Sequence, residues 1–188
     1  SVVTWGKPEV GGDSSSVQDQ LQDVQQIQGT GSAFAAILAN GSVVTWGTPE
    51  TGGDSSHVQE QLSNVKQIHA TKRAFAAVLV DGSVVTWGAS ENGGDSSKVQ
   101  HQLKNVQQIQ NTHSAFAAIL ADESVVTWGQ SHHGGDSSQV QDKLRNVKQI
   151  HGTAIAFAAI SADGSVVTWG WPGSGGDSSS VQEEFANL

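Results

Sequence analysis

Cysteine, methionine and tyrosine are absent from these 188 residues, and there are only three prolines and nine basic side chains. Without cysteine there is no disulfide, no thiolate metal ligand and no thiol nucleophile, and the composition is compatible with a reducing, intracellular compartment. No apolar run approaches the roughly 20 residues of a membrane-spanning helix, and no secretory signal pattern is visible. Nine Lys and Arg against 18 Asp and Glu leave a formal net charge of −9. The basic side chains are scattered, Lys72 and Arg73 being the one adjacent pair. A nucleic-acid surface gathers such charges into a patch or stripe, so DNA and RNA are disfavoured as partners.

What the sequence has in abundance is repetition. Trp5, Trp46, Trp87, Trp128 and Trp169 stand 41 residues apart, each closing the string Ser-Val-Val-Thr-Trp-Gly. A fixed period of this size marks a propeller, solenoid or array, in which each unit buries its apolar face against its neighbours. The chain therefore reads as one repeat domain over 1–188, with modules 1–41, 42–82, 83–123 and 124–164 and a partial fifth at 165–188. It opens part-way through a module and lacks Met, which predicts a stretch of a longer array. Residues 165–188 duplicate 1–24, leaving three arrangements open: a ring completed by further sequence, an open solenoid-like array, or four blades with one duplicated end docked as a cap.

In the copy 42–82, the Ala-rich run 74–80 is apolar or small on both faces, as a doubly buried strand reads. Asp81-Gly82 predicts a type I′ hairpin turn leading into the β-branched strand 83–87. Asn40-Gly41 and Asp163-Gly164 repeat the signal, whereas Asp122-Glu123 breaks it and predicts a strained or altered turn. Val65 and Ile68, three apart, suggest a third strand. Between strand groups, Val17, Leu21 and Val24 are spaced as one face of a short helix, with Ser15 and Gln18 as its capping pair. The expected fold is all-β with short helical segments, a β-propeller-like array of 41-residue repeats, or an open β-solenoid-like array.

The string Asp-Gly-Ser-Val-Val-Thr-Trp-Gly, preceded by Val-x-x-Ile and an Ala-rich strand, resembles the repeat of the regulator of chromosome condensation family. The resemblance implies β-propeller blades acting as protein-binding platforms, with guanine-nucleotide exchange in some members. Two departures bear on function. After the Trp-Gly strand this chain has Gly-Gly-Asp-Ser where that family usually has Gly-Gln-Leu-Gly, and Ala33, Ala74, Ala115 and Ala156 stand where it often has histidine. The resemblance thus carries over the blade-like module, and not exchange activity, DNA contact or a named partner.

Candidate sites each have a plain structural reading beside the functional one. Asp13, Asp54, Asp95, Asp136 and Asp177 recur in the Gly-Gly-Asp-Ser-Ser turns and could each give one oxygen to a calcium-like ion; capping of the following segment explains the same residues. The seven histidines occupy six different module columns, with adjacent His132 and His133 near Asp136 the sole pairing that suggests a metal. No hydroxyl is matched by a repeating His and Asp, and no phosphate-binding glycine loop occurs, so the reading is of no catalytic residue, no cofactor and no enzyme activity. The five Trp at the strand ends read as core, whereas Trp171 lies out of register in a loop and reads as an anchor or an end cover.

The copies differ from one another in two loop stretches. One comprises Lys7–Val10, Thr48–Thr51, Ala89–Asn92, Gln130–His133 and Trp171–Ser174; the other comprises Gly31–Ser32, Lys72–Arg73, His113–Ser114 and Ala154–Ile155. In an up-and-down hairpin both emerge at one edge. Lys72, Arg73, His113, His132, His133 and Trp171 are therefore the candidate residues for binding another protein, set against neutral drift in exposed loops. A structural subunit packing into a larger assembly through its open ends, by self-association or as a member of a larger complex, or a calcium- or carbohydrate-binding loop face, are the alternatives.

Overall fold

The computed structural model of the chain describes residues 2–181; residues 182–188, the end of the partial fifth module, lie outside the described residues. Four three-stranded antiparallel sheets follow one another along the chain. They are β1 (Val24–Gly29), β2 (Ala33–Leu38) and β3 (Val43–Gly47); β4 (Val65–Ala70), β5 (Ala74–Leu79) and β6 (Val84–Gly88); β7 (Val106–Asn111), β8 (Ala115–Leu120) and β9 (Val125–Gly129); and β10 (Val147–Gly152), β11 (Ala156–Ser161) and β12 (Val166–Gly170). Each sheet straddles the frame that starts at Ser1, because the Trp strand that opens one 41-residue copy pairs with the Ala-rich strand that ends the copy before it. The chain divides into two compact units between Asp95 and Ser96, with two sheets in each.

Val65 and Ile68 both face inward, at 6% and 1% exposure, although three residues separate them. Strict alternation would send them to opposite faces. The ladder resolves this: Val65 pairs with Leu79 and Gln67 with Val78, leaving Lys66 unopposed in a bulge that resets the phase. The same shift recurs in the other three sheets.

The hairpins differ from the expected type I′ turn. Positive φ falls on Gly41 (78°), Gly82 (80°) and Gly164 (84°) and not on the residues before them. Gly82 N donates to Leu79 O at 3.0 Å and Leu79 N to Ser83 O at 2.9 Å, which makes a three-residue loop ending in a left-handed bulge residue. The Asp is favoured for another reason: Asp81 Oδ1 accepts from Ser83 N at 2.9 Å and Ser83 Oγ at 2.6 Å. At the third copy of this turn Glu123 adopts the same left-handed conformation, φ 65°, so the expected strain is present while the turn is kept. Glu123 is also ion-paired with Lys148.

The expected helix over Val17, Leu21 and Val24 is a 3₁₀ segment, Ser15–Gln20, with Leu21 just past its end and Val24 already in β1. Left-handed Asp23, φ 50°, turns the chain from one to the other. The polar partner of Gln18 is Ser14 and not Ser15: Ser14 Oγ donates to Gln18 Oε1 at 2.9 Å, and Gln18 Nε2 donates to Val2 O at 3.0 Å. In the next copy Thr45 Oγ1 lies 3.0 Å from Ser55 Oγ, Ser55 bonds Gln59, and Gln59 Nε2 reaches Val43 O at 3.0 Å. Each linker is thereby laced to the Trp strand before it.

Within each unit, one face of the first sheet packs on the opposite face of the second. Ala33, Ala35, Ile37 and Val43 meet Val65, Ile68, Phe75, Ala77, Val85 and Trp87, with linker residues Val58 and Leu62 between. Ala115, Ala117, Ile119 and Val125 meet Val147, Ile150, Phe157, Ala159, Val167 and Trp169 in the same way. Small Ala side chains on one sheet make room for the large Phe and Trp of the other. In each sheet Phe stacks on Trp, with ring centroids 5.1 Å apart for Phe75 and Trp87. Trp87 Nε1 donates to Gly52 O at 3.0 Å, and Trp46 and Trp169 do the same to Gly11 and Gly134. A Cβ on Gly52 would stand 2.5 Å from the Phe75 ring, which is why the linker opens with glycine.

Candidate functional site

Both variable stretches lie at one end of every sheet, because the first residue of each Ala-rich strand pairs with the last of the Trp strand: Ala33 with Gly47, Ala74 with Gly88, Ala115 with Gly129 and Ala156 with Gly170. The two stretches are stitched together by backbone. Thr48 N donates to Ser32 O (2.8 Å), Ala89 N to Arg73 O (2.9 Å), Gln130 N to Ser114 O (2.9 Å) and Trp171 N to Ile155 O (2.9 Å). The uniform hairpin turns occupy the other end of each sheet.

A buried threonine fixes the geometry from below. Thr71 Oγ1 accepts from Ala74 N at 3.0 Å and donates to Asn92 O at 3.0 Å, so the Lys72–Arg73 turn and the 3₁₀ turn Ser90–Asn92 are held as one body. Thr112 does the same for His113, reaching His133 O at 3.0 Å. Thr recurs at 30, 71, 112 and 153, an invariant column that the 41-residue period makes visible in the sequence, although only the fold shows its use.

The loop ends also join from sheet to sheet inside each unit. In the first unit Gly31 N donates to Lys72 O at 2.8 Å, and Thr48 Oγ1 donates to Glu9 O at 2.7 Å. In the second His113 N donates to Ala154 O at 2.8 Å, and the His132 ring meets the edge of Trp171 at 6.2 Å. Lys72 and Arg73 are exposed, and Arg73 lies 3.9 Å from Glu91. His132 is exposed, His113 and His133 are partly covered, and Trp171 is 48% exposed. The structure thus groups Lys72 and Arg73 in one unit and His113, His132, His133 and Trp171 in the other. The two edges differ in chemistry. Variable stretches of the first unit mix Lys7, Lys72 and Arg73 with Glu9, Glu50 and Glu91, while those of the second contain imidazoles and an indole and no carboxylate.

The repeated aspartates are engaged in the backbone. Asp13, Asp54, Asp136 and Asp177 each accept a hydrogen bond from the main-chain N of the residue two ahead, at 2.8 to 2.9 Å. That backbone N–H, helped by the serine hydroxyl, holds their carboxyls below the ordinary 3.8. Among the described residues no three His, Cys, Asp or Glu converge as metal ligands would. His132 turns to Trp171, and His133 lends its carbonyl to Thr112.

One expected core residue is misplaced: Trp5 is 84% exposed. Trp46, Trp87 and Trp169 are buried because a Phe twelve residues upstream stacks on each and a glycine carbonyl receives each indole.

With the sheets and their loops placed, comparison with known proteins settles the fold. No family model and no curated protein matches the chain. Solved structures do. Prp20p from Saccharomyces cerevisiae, described together with its binding to Gsp1p and histones, superposes with a TM-score of 0.58 at 20% identity over 83% of this chain. The fold is that of RCC1-type repeats. The same yeast protein in complex with Kap60 gives 0.58 and 20% over 83%, and human WBSCR16 gives 0.50 and 19% over 78%. The chain spans about half of those proteins, 46%, 45% and 47% of their lengths respectively. Among the described residues no helix is long and apolar enough to cross a membrane.

Proposed function

We propose that the chain is a non-enzymatic repeat scaffold that binds another protein through the loop end of its sheets. The observation that carries this reading is the contrast between the two ends of each sheet: the sequence varies widely where paired loops are pinned by backbone and threonine hydrogen bonds, and changes only by single substitutions at the hairpin turns. A rigid scaffold presenting variable loops is the usual way repeat proteins recognise partners. The yeast protein that shares the fold is described as binding Gsp1p and histones and is seen with Kap60 bound. That precedent supports protein binding as the use of the fold. Trp171, an exposed indole on a fixed turn, has the character of an interface anchor, and Lys72 and Arg73 supply charge within an acidic chain. The repeated aspartates serve the turns in this reading, and no ion or cofactor is invoked.

The test is quantitative affinity capture with three versions of the chain: wild type, a loop variant (Lys72→Ala, Arg73→Ala, Trp171→Ala), and a turn variant (Ser83→Ala, Ser124→Ala) at the opposite end. A partner retained by wild type and the turn variant, and reduced at least tenfold by the loop variant, is the expected outcome. Equal retention by all three contradicts it.

A further inference from the structure

The fourth sheet departs from the other three away from its loop end. Strand β11 closes on Ser161, where β2, β5 and β8 close on Leu38, Leu79 and Leu120. Ser161 alternates with Phe157 and Ala159, which pack on the third sheet, so it belongs to the same inward face. Leu79, in the same column, packs against the core of the first unit. The linker that enters the sheet changes as well. Lys143 stands where the other copies have Gln20, Gln61 and Gln102, and Arg145 where they have Gln22, Ser63 and Lys104.

These altered positions meet at a cavity of ≈ 460 Å³. Lys143, Arg145 and Asn146 line it from the linker, and Ser161, Asp163 and Ser165 from the hairpin. Both walls thus belong to the fourth sheet and its own linker, and they are joined where Ala162 N donates to Asn146 O at 2.9 Å. Ser161 is the buried member of the lining, at 6% exposure, and its Oγ has no hydrogen-bond partner among the described residues. A buried hydroxyl in that state is unfavourable, so an acceptor brought to it by a ligand is favoured. Two cations line the cavity against one carboxylate, in a chain of net charge −9. Arg145 lies 3.9 Å from Asp142, with both side chains in water. Asp163 Oδ1 accepts from Ser165 N at 2.9 Å, and that bond holds its carboxyl below the ordinary 3.8.

We infer that this cavity binds a phosphate monoester of a small hydroxylated molecule. Lys143, Arg145 and the Ser161 hydroxyl donate to the phosphate oxygens, and Asp163 accepts from a ligand hydroxyl. A bare phosphate meets the same donors but is repelled by Asp163, so the hydroxylated ester is preferred. The volume lies within the range of small-molecule sites and leaves room beyond the phosphate group. The cavity is at the hairpin end of its sheet, and this inference is independent of the loop-end reading.

The test is titration followed by amide NMR shifts and calorimetry, with glycerol phosphate, inorganic phosphate and glycerol as probes, and melting curves to show that each variant is folded. Wild type should show its largest shifts at residues 143–146 and 161–165, bind glycerol phosphate at least threefold more tightly than phosphate, and leave glycerol unbound. Ser161→Leu installs the residue of the other three copies and should lose binding. Lys143→Gln with Arg145→Gln, both residues present in those columns, should weaken both phosphates at least tenfold. Asp163→Asn, the residue found at Asn40, should tighten inorganic phosphate and abolish the preference for the ester. Should Ser161→Leu melt poorly, the double Gln variant, confined to exposed side chains, tests the same site. No shift with either phosphate overturns the inference, as does glycerol binding as tightly as its phosphate. Unchanged affinity in a folded Ser161→Leu or in the double Gln variant overturns it too, and would mark a diffuse attraction to surface charge only.

Discussion

At the scale of single residues, glycines with similar positive φ serve different ends. Gly82, φ 80°, is needed for its backbone, so Gly82→Ala should cost about 1 kcal/mol in chemical denaturation. Gly52, φ 99°, also lies where a Cβ meets Phe75 at 2.5 Å, so Gly52→Ala should cost about 3 kcal/mol or more. Titration gives a second pair of expectations. The Ser83 hydroxyl and then its backbone N–H hold Asp81 below the ordinary 3.8. A depressed folded value means stability present above 3.8 and lost as the pH falls through the folded value. Asn40 performs the same turn without a charge, accepting from Ser42 N at 2.9 Å, so Asp81→Asn should keep the turn and make the acid loss shallower. Burial lowers the pKa of His69, whose Nε2 has no hydrogen-bond partner among the described residues, so stability should fall as pH drops below 6.5. His69→Gln, the residue found at Gln28 and Gln110 in the same column, should flatten melting temperature between pH 7.5 and 5.5.

At the scale of elements, the loops owe their order to a buried hydroxyl. Thr71→Val keeps the shape and removes the donor to Asn92 O and the acceptor for Ala74 N. It should cost about 1–2 kcal/mol and speed amide exchange in residues 89–93. Strand order and hairpin positions were legible from the Ala-rich runs and the Asn-Gly and Asp-Gly pairs, because period and turn chemistry are local. The bulge at Lys66 was not, since it is a property of two paired strands and shows in one strand only as an odd spacing. The linker reads as an amphipathic helix in sequence because Leu21, Leu62, Leu103 and Leu144 are each buried at 1% or 2% exposure, yet Leu21, Leu62 and Leu144 lie at the end of a 3₁₀ turn and Leu103 at the end of a hydrogen-bonded turn, not along a helical stripe. The variable loops were legible as a pair, since antiparallel pairing fixes which ends meet. The Thr-to-carbonyl ties and the pairing of Arg73 with Glu91 required coordinates.

At the scale of the whole molecule, the repeat explains both what is buried and what is exposed. The same Trp that is sealed in Trp87 lies open in Trp5, because burial belongs to the pairing of one module with another and not to the residue. The same logic separates the two ends of each sheet: the hairpin end changes by single substitutions (Asn40 for Asp, Val80 for Ala, Glu123 for Gly), and the loop end is where the copies diverge most on a fixed framework. The central claim is that this loop end is the protein-binding surface. Its most direct test is amide hydrogen exchange of the chain alone and with a captured partner bound. The account predicts protection at residues 72–73, 113–114, 130–133 and 171–174, with residues 39–42, 80–83, 121–124 and 162–165 unchanged. Protection confined to the hairpin turns, with the loops exchanging freely, would contradict it.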